Sequence, residues 1–169
     1  MKQIMARLQD ISMIQIPEKT GWDRKILQHE PEQKPIIKVQ LQSYKDGYPD
    51  KAMEYLGKGT HYVSDLNEPH HASNLTAVNS NHSDFEKYVD KHRTEYTIAG
   101  NSFGTNVYSS AENTAVGDML YSAAKDAKAL AGLAQNKDTY SSAGNQSVQN
   151  AIKTVSKYIY KFGKEVGIY

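Results

Sequence analysis

Apolar residues recur at intervals of three and four along most of the chain and convincing alternation with period two is scarce, so the pattern predicts an all-α fold. Ile36, Ile37, Gln40, Leu41 and Tyr44 keep helical spacing behind Pro35, a residue suited to a first helical turn, and Asp46-Gly47 closes the run. A second segment opens at Pro49 and lines Ala52, Tyr55, Leu56, Gly59, Tyr62, Val63 and Leu66 along one side until Pro69 stops it. Ser83-Asp84-Phe85-Glu86 matches a capping box, and Phe85, Tyr88, Val89, His92 and Tyr96 continue at helical spacing behind it. Thr97 to Ser110 is rich in Gly, Ser, Asn and Thr and reads as a mobile surface connection. The alanine-rich stretch from Ala111 to Leu133 predicts the longest helix, and Asn136 to Gly144 reads as a polar turn. Val148, Ile152, Val155, Ile159 and Phe162 then predict a final amphipathic helix. Upstream, Ile4, Leu8, Ile11, Ile14 and Ile16 lie among the breakers Pro17 and Pro31, a short helix or turn followed by irregular chain over residues 1–33. The expectation is one compact helical domain over residues 1–169, of about five helices.

Composition narrows the chemistry. Twenty Lys and Arg residues against nineteen Asp and Glu give a formal charge of +1, so no global field attracts nucleic-acid phosphates, and no nucleic-acid partner is expected. Without cysteine, a metal must be held by His, Asp and Glu. Met1 to Thr20 lacks the basic start and uninterrupted apolar stretch of a secretory signal. The longest apolar clusters fall far short of the roughly 20 residues of a membrane-spanning helix.

Between His61 and Glu86 five residues follow the spacing H-x3-D-x5-H-x10-H-x3-E: His61, Asp65, His71, His82 and Glu86. In a helix, positions four apart share a face with Cβ atoms roughly 5–6 Å apart, so His61 and Asp65 can address one ion, and His82 and Glu86 repeat that geometry. Pro69 breaks the chain between the two pairs and lets His71 swing on a loop toward the second, completing two imidazoles and one carboxylate. Three such ligands suit zinc and leave a position for a water whose pKa falls toward about 7. Each residue also has a plainer role. Glu86 can serve only the capping box, His61 and Asp65 can be an ordinary helix-face pair, and His70 is expected to face solvent. His29 and His92 are read as structural, His92 as a hydrogen-bonded histidine on the apolar side of its helix.

The run from Tyr44 through Gly47-Tyr-Pro49, Gly57-Lys-Gly-Thr-His61, Asp65 and Pro69-His-His71 to Ala72-Ser-Asn74 resembles the core signature of the bacterial zinc-dependent phospholipases C. The likeness continues through Leu75 to Val78, His82, Ser83, Phe85, Glu86, Val89 and Asp90, and fades beyond Tyr96. The related fungal single-strand nucleases share the H-x3-D and Pro-x-His elements, but the final H-x3-E and Ala72-Ser-Asn74 resemble the phospholipases more closely. The resemblance implies a helical domain holding zinc. His71, His82 and Glu86 would complete one metal site, and His61 and Asp65 would be part of another, with Asp65 bridging two metals and so placed in the catalytic role. It further implies hydrolysis of a phospholipid to diacylglycerol and a phosphorylated headgroup. It also implies secretion, although no leader is visible.

The departure lies upstream. The family supplies its remaining ligands from a longer N-terminal half: an N-terminal Trp, two further histidines and an aspartate. Here only His29 precedes His61, the sole tryptophan Trp22 is internal, and Asp10 and Asp23 are the aspartates ahead of the first clear helix. A shortened reading frame or degenerate copy is therefore expected. Three functions follow: a zinc-dependent phospholipase C, intact or reduced; a helical module that binds zinc or a phosphorylated headgroup without turnover; and, less favoured, a single-strand nuclease. A lipid substrate requires interfacial membrane contact, for which the loop aromatics Phe103 and Tyr108 are candidates.

Overall fold

The computed structural model describes residues 36–98 and 104–169; the expectation for residues 1–33 lies outside the described residues. These hold eight α-helices and no strand, so the all-α expectation stands. The helices are α1 (Ile36–Lys45), α2 (Pro49–Asp65), α3 (Pro69–Ala72), α4 (His82–His92), α5 (Gly104–Asn113), α6 (Val116–Ala129), α7 (Ala131–Ala134) and α8 (Tyr140–Glu165).

The count exceeds five for local reasons. The single turns α3 and α7 are too short to show periodicity. The alanine-rich stretch is not one helix: Ala115, at φ −61° and ψ 146°, is extended and separates α5 from α6. The segment read as a loop is helical from Gly104 onward, because α5 packs on α8 and buries Ala111, and tertiary packing overrides polar composition. At its other end α8 begins at Tyr140, so the Asn136–Gly144 turn is mostly helix. Tyr140, Ala143, Gly144 and Ser147 form a buried stripe there that small polar neighbours disguise.

Turns are set by residues the sequence makes visible. Gly47 adopts φ 82°, and the Tyr48 amide donates to the Ser43 carbonyl at 2.9 Å, which caps α1 and turns the chain into Pro49 at the start of α2. α8 organises the rest, packing against α2, α4, α5, α6 and α7. One core cluster joins Ile37 and Leu41 of α1, Ala52 and Val63 of α2, Val116 and Met119 of α6, and Tyr158 and Phe162 of α8. Gly59 permits the α2–α8 approach: a Cβ there would lie 2.2 Å from the Tyr158 hydroxyl. A second cluster of Phe85, Ala134, Tyr140 and Ala143 ties α4 and α7 to α8. α3 rests against α6 and α7, and this fixes the segment carrying two adjacent histidines. Among the described residues no helix is long and apolar enough to cross a membrane.

Candidate metal centre

α3 is only four residues long and is locked at both ends. Proline restricts the residue before it to extended conformations, and Glu68 is extended accordingly at φ −84° and ψ 124°. From there its carboxylate accepts the His71 amide at 2.6 Å. At the C-terminal end Asn74 takes the left-handed conformation at φ 56°, and the Leu75 amide donates to the His70 carbonyl at 2.9 Å. His71 therefore sits on a capped turn rather than a swinging loop, and His70 and His71 project from fixed backbone.

α4 supplies the opposing donors. It starts at His82, with Asn81 before it, and no side chain caps it. The predicted capping box does not form, because Ser83 already lies inside the first turn; Glu86 is left to face His82. The His82 Nε2 lies 3.0 Å from Glu86 Oε1, and the His71 Nε2 lies 3.6 Å from the same oxygen. The two rings meet edge to face with centroids 4.7 Å apart.

Two residues to which the spacing assigns no ligand role complete the cluster. Glu68 Oε2 is 3.8 Å from His82 Nε2, and Glu68, His71 and His82 each offer a donor atom within 4.8 Å of the others. His70, expected at the surface, is 0% exposed. Its Nδ1 is 2.8 Å from Glu68 Oε1 and its Nε2 is 3.2 Å from Asn81 Oδ1. The Asn81 amide donates in turn to the Tyr140 hydroxyl. The ring also lies parallel to His82, centroids 5.1 Å apart, and against Phe85 at 5.3 Å. His70 faces inward because its two ring nitrogens are taken up by Glu68 and by Asn81, the residue before α4. The visible signal was Glu-Pro at a helix start, which places a carboxylate at the cap.

Electrostatics follow burial and pairing. Burial pushes the Glu68 carboxyl up, but the hydrogen bonds from the His70 ring and the His71 amide, with the charge of both imidazoles, outweigh it and hold the group below its ordinary range. Burial pushes His70 down, and the hydrogen bond and charge of Glu68, with the Asn81 hydrogen bond, leave it raised.

The donor set fits a divalent cation. The His82 Nε2 is buried without a hydrogen-bond partner, even though Glu86 is close. A buried imidazole nitrogen left in that state beside carboxylates is what a cation would satisfy. His61 and Asp65 form a separate pair, Nε2 to Oδ2 3.5 Å, on an exposed part of α2, and neither belongs to the three-donor group. His92 bonds Glu95 at 2.8 Å and stacks on Tyr88, a structural role. Of the aromatics considered for lipid contact, Phe103 lies outside the described residues, and Tyr108 packs on Tyr160 with centroids 4.9 Å apart.

No family model matches the chain. It is 32% identical over 123 residues to a phospholipase C of Paraclostridium bifermentans, a match covering 66% of this chain and 31% of that protein. To a phospholipase C of Clostridium perfringens it is 31% identical over 135 residues, covering 73% of this chain and 34% of that protein. The alpha toxin of Clostridium absonum superposes with a TM-score of 0.69 at 31% identity, over 78% of this chain and 39% of that one. The chain belongs to the bacterial phospholipase C family. It spans about a third of the length of the phospholipases C it matches. A shorter match, 36% identical over 78 residues, joins it to a phospholipase C of Bacillus cereus. In this phospholipase C family member the Nε2 atoms of His71 and His82 both lie within 3.6 Å of Glu86 Oε1.

Proposed function

We propose that this chain is a phospholipase C-type hydrolase that cleaves phosphodiester bonds of phospholipids with zinc. The observation that supports this is the approach of the His71 and His82 Nε2 atoms to one carboxylate oxygen of Glu86. His71, His82 and Glu86 would hold the ion, and the half-exposed Glu86 stands at the solvent side of the site, where a phosphodiester can approach. Bound zinc would supply Lewis acidity and a water of pKa near about 7. We assign His61 and Asp65 to a second centre on α2, with Asp65 as its catalytic carboxylate. Residues 1–169 are taken as one helical domain, and the substrate is met at the membrane surface.

A second reading, a zinc-binding helical module without turnover, is favoured by one observation: His61 and Asp65 remain a pair apart from the three-donor group. Hydrolysis of phosphatidylcholine in mixed micelles, beside a single-stranded oligonucleotide, separates the readings. The expected result is lipid turnover that stops on chelation, returns with zinc and is absent in His82→Ala. Turnover indifferent to chelation contradicts the proposal; zinc binding with no hydrolysis selects the second reading.

A further inference from the structure

We propose that Glu68 is a fourth protein ligand of this cation site, positioned by His70, so that Glu68, His71, His82 and Glu86 close the site from within one short segment. The inference rests on the cation reading above and adds to it a carboxylate and a positioning residue; with all four donors bound a tetrahedral ion has no place for water, so hydrolysis at this ion would require the half-exposed Glu86 to yield its position.

For bonds of about 2.0–2.2 Å, a tetrahedral ion separates its donors by roughly 3.3–3.6 Å. His82 Nε2 lies 3.0 Å from Glu86 Oε1 and 3.8 Å from Glu68 Oε2, and His71 Nε2 lies 3.6 Å from Glu86 Oε1, so these three separations bracket that edge length, while the donor atoms of Glu68, His71 and His82 lie within 4.8 Å of one another. Glu68 thus stands across His82 from Glu86, and two carboxylates with two imidazoles balance the charge of a divalent ion.

An ionised carboxylate offers about four acceptor positions. Glu68 uses one on Oε1 for His70 Nδ1 at 2.8 Å and one on Oε2 for the His71 amide at 2.6 Å. The unused position on Oε2 belongs to the oxygen nearer His82. A cap alone needs only the His71 amide; the second bond, from a fully buried histidine, fixes the rotation of the carboxylate. His70 is itself fixed, since its Nε2 meets Asn81, which donates to Tyr140 of α8. One line of hydrogen bonds therefore runs from the longest helix to the candidate ligand, the arrangement by which proteins orient metal-binding groups.

The test is zinc affinity of the full chain, measured by competition with a chromophoric chelator, with helicity and melting temperature of each zinc-free variant measured in parallel. Glu68→Gln keeps an acceptor for the His71 amide and is expected to lose at least about a hundredfold in affinity, beyond the roughly 10–100-fold typical of an outer partner. His70→Ala is expected to lose about tenfold, and His70→Gln, which retains a donor for Glu68, to recover most of it. Glu68→Gln within about threefold of wild type while His82→Ala loses zinc overturns the ligand role and leaves the cation reading intact; wild-type protein that binds no zinc overturns both. Equal losses in His70→Ala and His70→Gln overturn the positioning role. If Glu68→Gln fails to fold, zinc-edge anomalous diffraction from the unmutated protein decides: a Glu68 oxygen at about 2.0–2.2 Å from the ion supports the proposal, and one beyond roughly 3.5 Å overturns it.

Discussion

The imidazoles of His71 and His82 meet edge to face, centroids 4.7 Å apart, although they come from separate helices and no strand or disulfide ties them. Packing holds them. α3 is capped by Glu68 and seated on α6 and α7, and α4 is pinned by Phe85. This packing predicts a site that forms before any ion binds. Zinc at about a hundred times its dissociation constant should stabilise the fold by roughly 2.7 kcal/mol. Circular dichroism should show a raised melting temperature with unchanged helical signal at 25 °C; a large gain in helicity on adding zinc would contradict preformation.

Phe85 is the residue that ties this site to the core. It is 1% exposed and packs edge on against Tyr140 at 5.3 Å, with His70 at the same separation on another side. Phe85→Ala should cost about 3–5 kcal/mol in urea unfolding and weaken zinc binding as well, because α4 loses its seat. Loss of stability with unchanged zinc affinity would show that the donors do not depend on that packing.

Gly59 and Tyr158 make the opposite kind of contact, one with no spare room. A Cβ at Gly59 would lie 2.2 Å from the Tyr158 hydroxyl and 2.9 Å from its ring carbon, and that hydroxyl donates to the buried Gln40 side chain at 3.2 Å. Gly59→Ala should cost about 1–3 kcal/mol by overpacking the α2–α8 seam. Tyr158→Phe in the same chain should recover part of this, since the nearest atom is then the ring carbon. Additive losses in the double variant would contradict the contact.

The same tyrosine gives the fold an alkaline limit. Burial pushes the Tyr158 phenol up to about 12, with Gln40 opposing. A folded pKa above the unfolded value near 10 means that the contribution is fully present below pH 10 and is lost as pH rises through about 12. Two units correspond to roughly 3 kcal/mol. Urea midpoints should fall between pH 9 and 11.5 in the wild type and fall less in Tyr158→Phe; parallel curves would rule the effect out.

Legibility of the sequence followed the range of the interactions involved. Gly47 and Pro49 act on adjacent backbone, and the end of α1 and start of α2 were readable from them; α2 ends at Asp65, short of Pro69, which instead starts α3. The proximity of His71, His82 and Glu86 was legible because their spacing resembles a family signature and places the last two on one helix face. The start of α8 was not, since its polar letters hide contacts made far away: the Ser147 hydroxyl donates to the Asn67 carbonyl at 2.8 Å, eighty positions distant. His70 was misread for the same reason. Its burial depends on Asn81 and Tyr140, and nothing in Pro69-His70-His71 itself marks which ring turns inward.

Elemental analysis of the purified chain, dialysed against zinc and then metal-free buffer, tests the convergence of α3 and α4 donors most directly. At least one zinc per chain should remain in the wild type, and about one fewer in His82→Ala with helicity retained. A wild-type chain retaining no more zinc than His82→Ala would contradict the metal centre.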